Sequence, residues 1–118
     1  MIYNNFKGLK LSALGLGTMR LPTLANDDSK IDLDASRKMF DYAIKNGINY
    51  FDTAYGYHGG ESEIVNGIIL KDYPRNSFYL ASKFPGFSIE NMEKKEEIFN
   101  RQLENVRLSI LIFIYSIV

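Results

Sequence analysis

The sequence predicts an α/β fold built on a parallel sheet, and three observations predict it. Short runs of strand-forming apolar residues alternate with segments whose apolar residues recur at helical spacing. The alternation passes through three helical crossovers, for which right-handed returns to a parallel neighbour are expected. After Arg107 no charged residue remains and nine of the last eleven residues are apolar, rich in isoleucine as a buried parallel strand would be. Two architectures satisfy this βαβαβαβ order: an open doubly wound sheet, or the first half of a (β/α)8 barrel. A complete barrel typically needs ~250 residues. At 118 residues the chain supplies about four of eight strands.

Taken in order, the elements begin with a short leading hairpin, whose inner face is expected to carry Phe6, Leu9 and Leu11. Ala13 to Gly17 reads as a strand of small residues. The polar stretch from Thr23 to Lys30 reads as a loop. A helix follows, with Asp34 as the expected N-cap and Met39, Phe40, Ala43 and Ile44 on one face. Gly47 ends it in the left-handed cap position. Ile48 to Asp52 is the second strand. The second helix starts at Gly60 or Glu61 and buries Ile64, Val65, Ile68 and Ile69. Pro74 stops what precedes it. Phe78 to Lys83 is the third strand. A single third helix is expected from Ile89 to Val106, with Ile98, Phe99, Leu103 and Val106 inward and a Glu97–Arg101 pair on its solvated face. The apolar run from Ser109 is the fourth strand.

Composition excludes several function classes. Fourteen Lys and Arg balance fourteen Asp and Glu, so no charge excess draws the chain to nucleic acid or to an acidic membrane. Cysteine is absent, which removes disulfide scaffolds, thiolate metal sites and a cysteine nucleophile together. The first ten residues lack the basic-then-apolar order of a secretory signal, and a cytoplasmic location is expected. The apolar C-terminal run is shorter than the ~20 residues of a membrane helix.

Three polar residues fall where an α/β fold places its chemistry, at the C-terminal ends of strands. Asp52 ends the second strand, Lys83 ends the third, and Tyr57 lies in the loop after Asp52. A tyrosine is a poor acid near neutrality, but an adjacent ammonium stabilises its phenolate. A carboxylate paired with the lysine keeps that ammonium charged and fixed in place. Such a tyrosine can give a proton to a carbonyl oxygen as hydride arrives. By position alone, a structural salt bridge beside a surface tyrosine fits equally well.

The local words favour the chemical reading. Asn49-Tyr50-Phe51-Asp52-Thr53-Ala54-Tyr55-Gly56-Tyr57 resembles the Phe-Asp-Thr-Ala-x-x-Tyr signature of the aldo-keto reductases. Leu14-Gly15-Leu16-Gly17-Thr18-Met19-Arg20-Leu21-Pro22 resembles that family's first strand and loop. Ala81-Ser82-Lys83 is similar to its third strand with the lysine, and Glu61-Ser62-Glu63 stands where its second helix begins. The resemblance runs from about residue 9 to 107. It implies the N-terminal half of a (β/α)8 TIM barrel with a leading hairpin, and reduction of an aldehyde or ketone by NADPH or NADH. By the same resemblance Tyr57 is the proton donor, Lys83 tunes it, Asp52 pairs with the lysine, and Gly17, Thr18 and Met19 lie near the nicotinamide, with Asp52 beside it. Gly15-x-Gly17 is not a Rossmann fingerprint, because the third glycine is missing and no helix opens directly after it.

His58, the only histidine, stands in Tyr57-His58-Gly59-Gly60 and is expected to be a loop or substrate-rim residue. No cysteine or second histidine exists to complete a zinc set, and no metal is expected. The family's catalytic histidine instead ends the fourth strand, about one βα unit beyond Lys83, near Ser116 and Ile117. There the sequence departs from the family: Ser109 to Val118 carries neither the Asp-x-x-Asp pattern nor the histidine. A shift of reading frame is the expected cause. One legal codon choice for Ser109 to Val118, read from its third base, encodes Tyr-Phe-Asp-Phe-Tyr-Leu-Phe-His-Ser, and its histidine codon straddles Ser116 and Ile117. The chain is thus read as one partial reductase domain over 1–118, truncated or frameshifted after about residue 107 and inactive by itself. The alternative is a non-catalytic α/β module that self-associates through its apolar last strand.

Overall fold

The computed structural model of the protein describes residues 1–108 and 113–116. Strands β1 (Tyr3–Phe6) and β2 (Leu9–Ser12) form the expected antiparallel hairpin. Its turn residues Lys7 and Gly8 both have positive φ, the geometry whose twist matches a tight hairpin. Leu9 and Leu11 are half-buried, whereas Phe6 is 45% exposed and does not join the inner face. Asn49 ties the hairpin to the rest of the chain: its side chain accepts from the Ser12 N–H at 2.8 Å and donates to the Lys10 carbonyl at 2.9 Å. Asn49 directly precedes a strand of the main sheet, so the hairpin sits at the end where those strands begin.

The main sheet has four parallel strands, β3 (Leu16–Gly17), β4 (Tyr50–Asp52), β5 (Tyr79–Phe84) and β6 (Phe113–Ser116). They lie side by side in chain order. That order decides between the two architectures. A doubly wound sheet reverses direction at a switch point, whereas a barrel adds each strand beside the last. The sheet is therefore half of a barrel-type winding. Only two residues of the strand expected over Ala13 to Gly17 make ladder bonds. β6 carries part of the expected fourth strand, pairing Ala81 with Phe113 through Phe84 with Ser116. The remainder of that strand, with Ile117, lies outside the described residues.

Helix α1 (Leu33–Lys45) is capped by Asp32, whose carboxylate accepts from the Ala35 N–H at 3.0 Å. The expected cap, Asp34, instead stands in the first turn, where its charge still favours the positive end of the helix dipole. Gly47 closes the helix at φ +93°, as its position implied. Helix α2 (Glu61–Leu70) buries Val65 and Ile69 but leaves Ile64 and Ile68 half-exposed. Gly67 permits close helix packing: a Cβ there would fall 2.6 Å from the Asn105 carbonyl oxygen.

The third helix is two helices, α3 (Ile89–Glu93) and α4 (Lys95–Val106), broken at Lys94. No residue of α3 is buried, so no packing holds it in line with α4. The buried stripe of α4 is Ile98, Gln102 and Val106, while Phe99 is exposed and Leu103 half-buried. Arg101 faces Glu104 at 3.9 Å and not Glu97.

The core lies between the sheet and its covering helices. Phe40 of α1 stacks on Phe51 of β4 at 5.2 Å between ring centroids, and Phe78 meets Phe51 edge-on at 6.4 Å. Leu21, Val65, Ile69, Leu70, Leu80 and Val106 complete it. Side chains alternate along a strand. Phe51, Leu80 and Ser82 therefore face the helices, and Asp52, Ala81 and Lys83 turn to the opposite face.

Candidate active site

The alternation that buries Phe51 delivers Asp52 to the sheet's other face, at the C-terminal end of β4. Two residues further along the neighbouring strand, Lys83 reaches across to it. The Lys83 ammonium donates to Oδ1 of Asp52 and, at 2.9 Å, to the Thr53 carbonyl oxygen. It also lies over the ring of Tyr57, 4.8 Å from the centroid. The lysine side chain is 13% exposed and that of Asp52 27%, so the pair is shielded but not sealed. Tyr57 is half-buried. The three residues expected from sequence thus meet at one place, contributed by two strands and one loop.

Two further tyrosines adjoin this cluster. Burial, and secondarily the Asp52 carboxylate, push the Tyr50 phenol above its ordinary value, with Lys83 opposing. Beside Tyr57 a cavity of about 270 Å³ opens, with Tyr55, Lys83, Pro85, Phe87 and Asn91 also in its wall.

The stretch expected near a nicotinamide divides. Gly17 pairs with Asp52 in the sheet, and nothing lies within 4 Å of where its Cβ would stand. Met19 is 54% exposed. Thr18 is fully buried, and its hydroxyl donates to the Asp52 carbonyl oxygen at 2.8 Å. The structure does not bring the Thr18 side chain to the open face. It instead steadies the strand end on which Asp52 sits.

Thr18 belongs to a buried polar group that the sequence analysis missed. Ser62 contacts the Thr18 carbonyl oxygen at 2.9 Å and the Thr53 hydroxyl at 2.8 Å, and Asn66 donates to the Thr18 hydroxyl at 3.0 Å. Next to it, Glu63 is fully buried. Glu63 Oε1 accepts from the Ser82 hydroxyl at 2.5 Å and from Gln102 at 2.8 Å, and its Oε2 accepts from Asn105 at 3.1 Å. Gln102 also donates to the Lys83 carbonyl oxygen at 3.0 Å. The available signal was on α2, where Ser62, Glu63 and Asn66 interrupt the apolar face with polar residues that need buried partners.

His58 corrects an expectation. It is 2% exposed, not a rim residue, because both ring nitrogens are engaged by the loop that follows β3. The expected site of a fourth-strand histidine can be placed only by register: Ser116 stands beside Phe84, and Ile117 lies outside the described residues.

A singly wound parallel sheet with an acid–lysine–tyrosine cluster at its C-terminal edge defines the class by fold: part of a (β/α)8 barrel, a fold whose enzymes carry their chemistry at that edge. The chain belongs to the aldo/keto reductase family, whose profile matches residues 13–113. A Glycine max protein named "Probable aldo-keto reductase 1" is 36% identical over 78 residues, covering 66% of this chain and 22% of that protein. Among solved structures, the holo form of aldo-keto reductase AKR11C1 from Bacillus halodurans superposes with a TM-score of 0.80 at 24% identity, covering 98% of this chain and 40% of that one. An aldo-keto reductase from Klebsiella pneumoniae in complex with NADPH superposes with a TM-score of 0.67 at 22% identity, covering 97% of this chain and 39% of that one. The chain therefore spans between about a fifth and two fifths of the length of these relatives.

Proposed function

We propose that the chain carries the acid–base centre of an NADPH- or NADH-dependent reduction of aldehydes or ketones. One observation carries this reading: a single ammonium, on Lys83, is held by Asp52 and the Thr53 carbonyl while lying against the Tyr57 ring. In this reading Tyr57 donates its phenolic proton to the substrate's carbonyl oxygen. Lys83 steadies the negative charge that develops on Tyr57, and Asp52 keeps Lys83 charged and aimed. The nicotinamide cofactor, when bound, supplies the hydride. The open face at Gly17 and the exposed Met19 fit its flat ring, and the cavity beside Tyr57 accepts a small carbonyl compound. The cofactor's phosphates fall to parts of a barrel beyond a four-stranded sheet, so the chain alone is expected to turn over very slowly.

The test joins residues 1–108 to the remaining barrel of the Bacillus halodurans relative and follows NADPH oxidation with an aldehyde. Tyr57→Phe should lower kcat by roughly 10²–10⁴-fold with little change in KM. Unchanged turnover would remove Tyr57 from the role. A second reading, self-association through the last strand, is favoured by the place of β6 at the sheet edge. Light scattering on the purified chain separates them: a discrete dimer without nucleotide affinity supports the second.

A further inference from the structure

We propose that His58 is a positioning residue: held as the neutral tautomer with its proton on Nδ1, it clasps the loop between β3 and α1 onto the turn that carries Tyr57. The assignment follows from donors and acceptors. The Leu21 N–H donates to Nε2 of His58 at 2.9 Å, so Nε2 presents a lone pair. A neutral imidazole then carries its proton on Nδ1, which lies 2.7 Å from the Asp28 carbonyl oxygen and 3.2 Å from Oδ1 of Asp28. One ring thereby grips a single loop at two backbone points, seven residues apart.

The loop is shaped to be gripped. Thr23 bridges to Ile31, the Leu24 N–H donates to the Lys30 carbonyl, and the Asp32 N–H donates to the Pro22 carbonyl, closing residues 22–32 into one lobe. On the other side of the clasp, His58, Gly59 and Gly60 are all in left-handed conformation, with φ of 55°, 63° and 97°. That conformation is unfavourable for a histidine, and the two hydrogen bonds offset its cost. A single polar side chain with both ring nitrogens used inside the protein is unlike a loop residue awaiting substrate. Tyr57 directly precedes His58, and Met19 stands two residues before Leu21. The clasp thus sets the distance between the open face at Gly17–Met19 and the phenol of Tyr57. That consequence for catalysis rests on the reductase reading; the clasp itself does not.

The test uses the full 118-residue chain with 15N-labelled histidine, at mildly alkaline pH where an unperturbed imidazole is neutral. Long-range 1H–15N spectra should show Nδ1 protonated and Nε2 bare. Hydrogen exchange at the Leu21 amide should quicken at least about tenfold in both His58→Ala and His58→Asn, while amides of α1 and α2 keep their protection. Asparagine tolerates the left-handed backbone, so the second variant separates loss of the clasp from strain in the turn. The Tyr57 ring signals should shift in both variants. A proton on Nε2 in the unaltered chain, or unchanged exchange at Leu21 in both variants, would overturn the proposal. These measurements need no cofactor, so their failure removes only the clasp. Unchanged turnover on Tyr57→Phe removes only the reductase reading.

Discussion

Two carboxylates, Asp52 and Glu63, flank strand β5 from opposite faces, and their surroundings differ in kind. Asp52 is partly open to solvent and has a cation, Lys83, as partner. Glu63 is fully buried and is satisfied by the neutral donors of Ser82, Gln102 and Asn105. Ser82 and Lys83 are consecutive residues, so one step along the strand separates the two settings. An ion pair that water and substrate can approach can change partners during a reaction. A carboxylate that accepts three hydrogen bonds from hydroxyl and amide donors ties α2, β5 and α4 together. The first arrangement suits chemistry and the second suits the scaffold that aims it.

That contrast can be broken at four points. Glu63→Ala should have the largest effect on stability, about 3 kcal/mol in urea denaturation, because it strands several buried donors at once. A loss below about 1 kcal/mol would mean that the buried group is not structural. Gly67→Ala comes next, at about 1–3 kcal/mol by thermal unfolding, since its new methyl would meet backbone of α4 and not a movable side chain. Lys83→Met should cost about 1–3 kcal/mol, because it takes the ammonium from a carboxylate that is only 27% exposed, while removing carbonyl reduction from the completed barrel. A large loss of stability with activity retained would invert the assignment of the two carboxylates. The smallest effect is alkaline. The Tyr50 phenol is harder to ionise in the folded chain than in the unfolded one. Its contribution to stability is fully present below the ordinary value near 10 and is lost as pH rises through the higher folded value. Tyr50→Phe should flatten the fall in stability with pH in that window, read by denaturation at successive alkaline pH values.

Much of the scaffold was legible because its signals are local. Gly47 announces its left-handed cap, Asp52 and Lys83 stand at strand ends, and the alternation around Phe51 sets which neighbours face away from the helices. The misreadings share a cause. The cap expected at Asp34 falls at Asp32 because both are suitable residues two positions apart, and only the backbone geometry selects one. Phe99 was placed inward by apolarity, whereas the buried position of that turn of α4 goes to Gln102, whose partners are Glu63 and Lys83. The loop or substrate-rim reading of His58 holds for the loop and fails for the rim, because its partners lie 30 and 37 residues earlier.

The sequence by itself determined the alternation of strands and helices, the family, and the placing of Asp52 and Lys83 at strand ends with Tyr57 in the loop after Asp52. Each depends on short-range periodicity or on a contiguous motif. Tertiary structure alone decided the enclosure of Glu63, the inward turn of Thr18 and the burial of His58. Those outcomes depend on hydrogen-bond partners 19 to 48 residues apart. No local pattern records whether a polar side chain will find such a partner or be left to solvent.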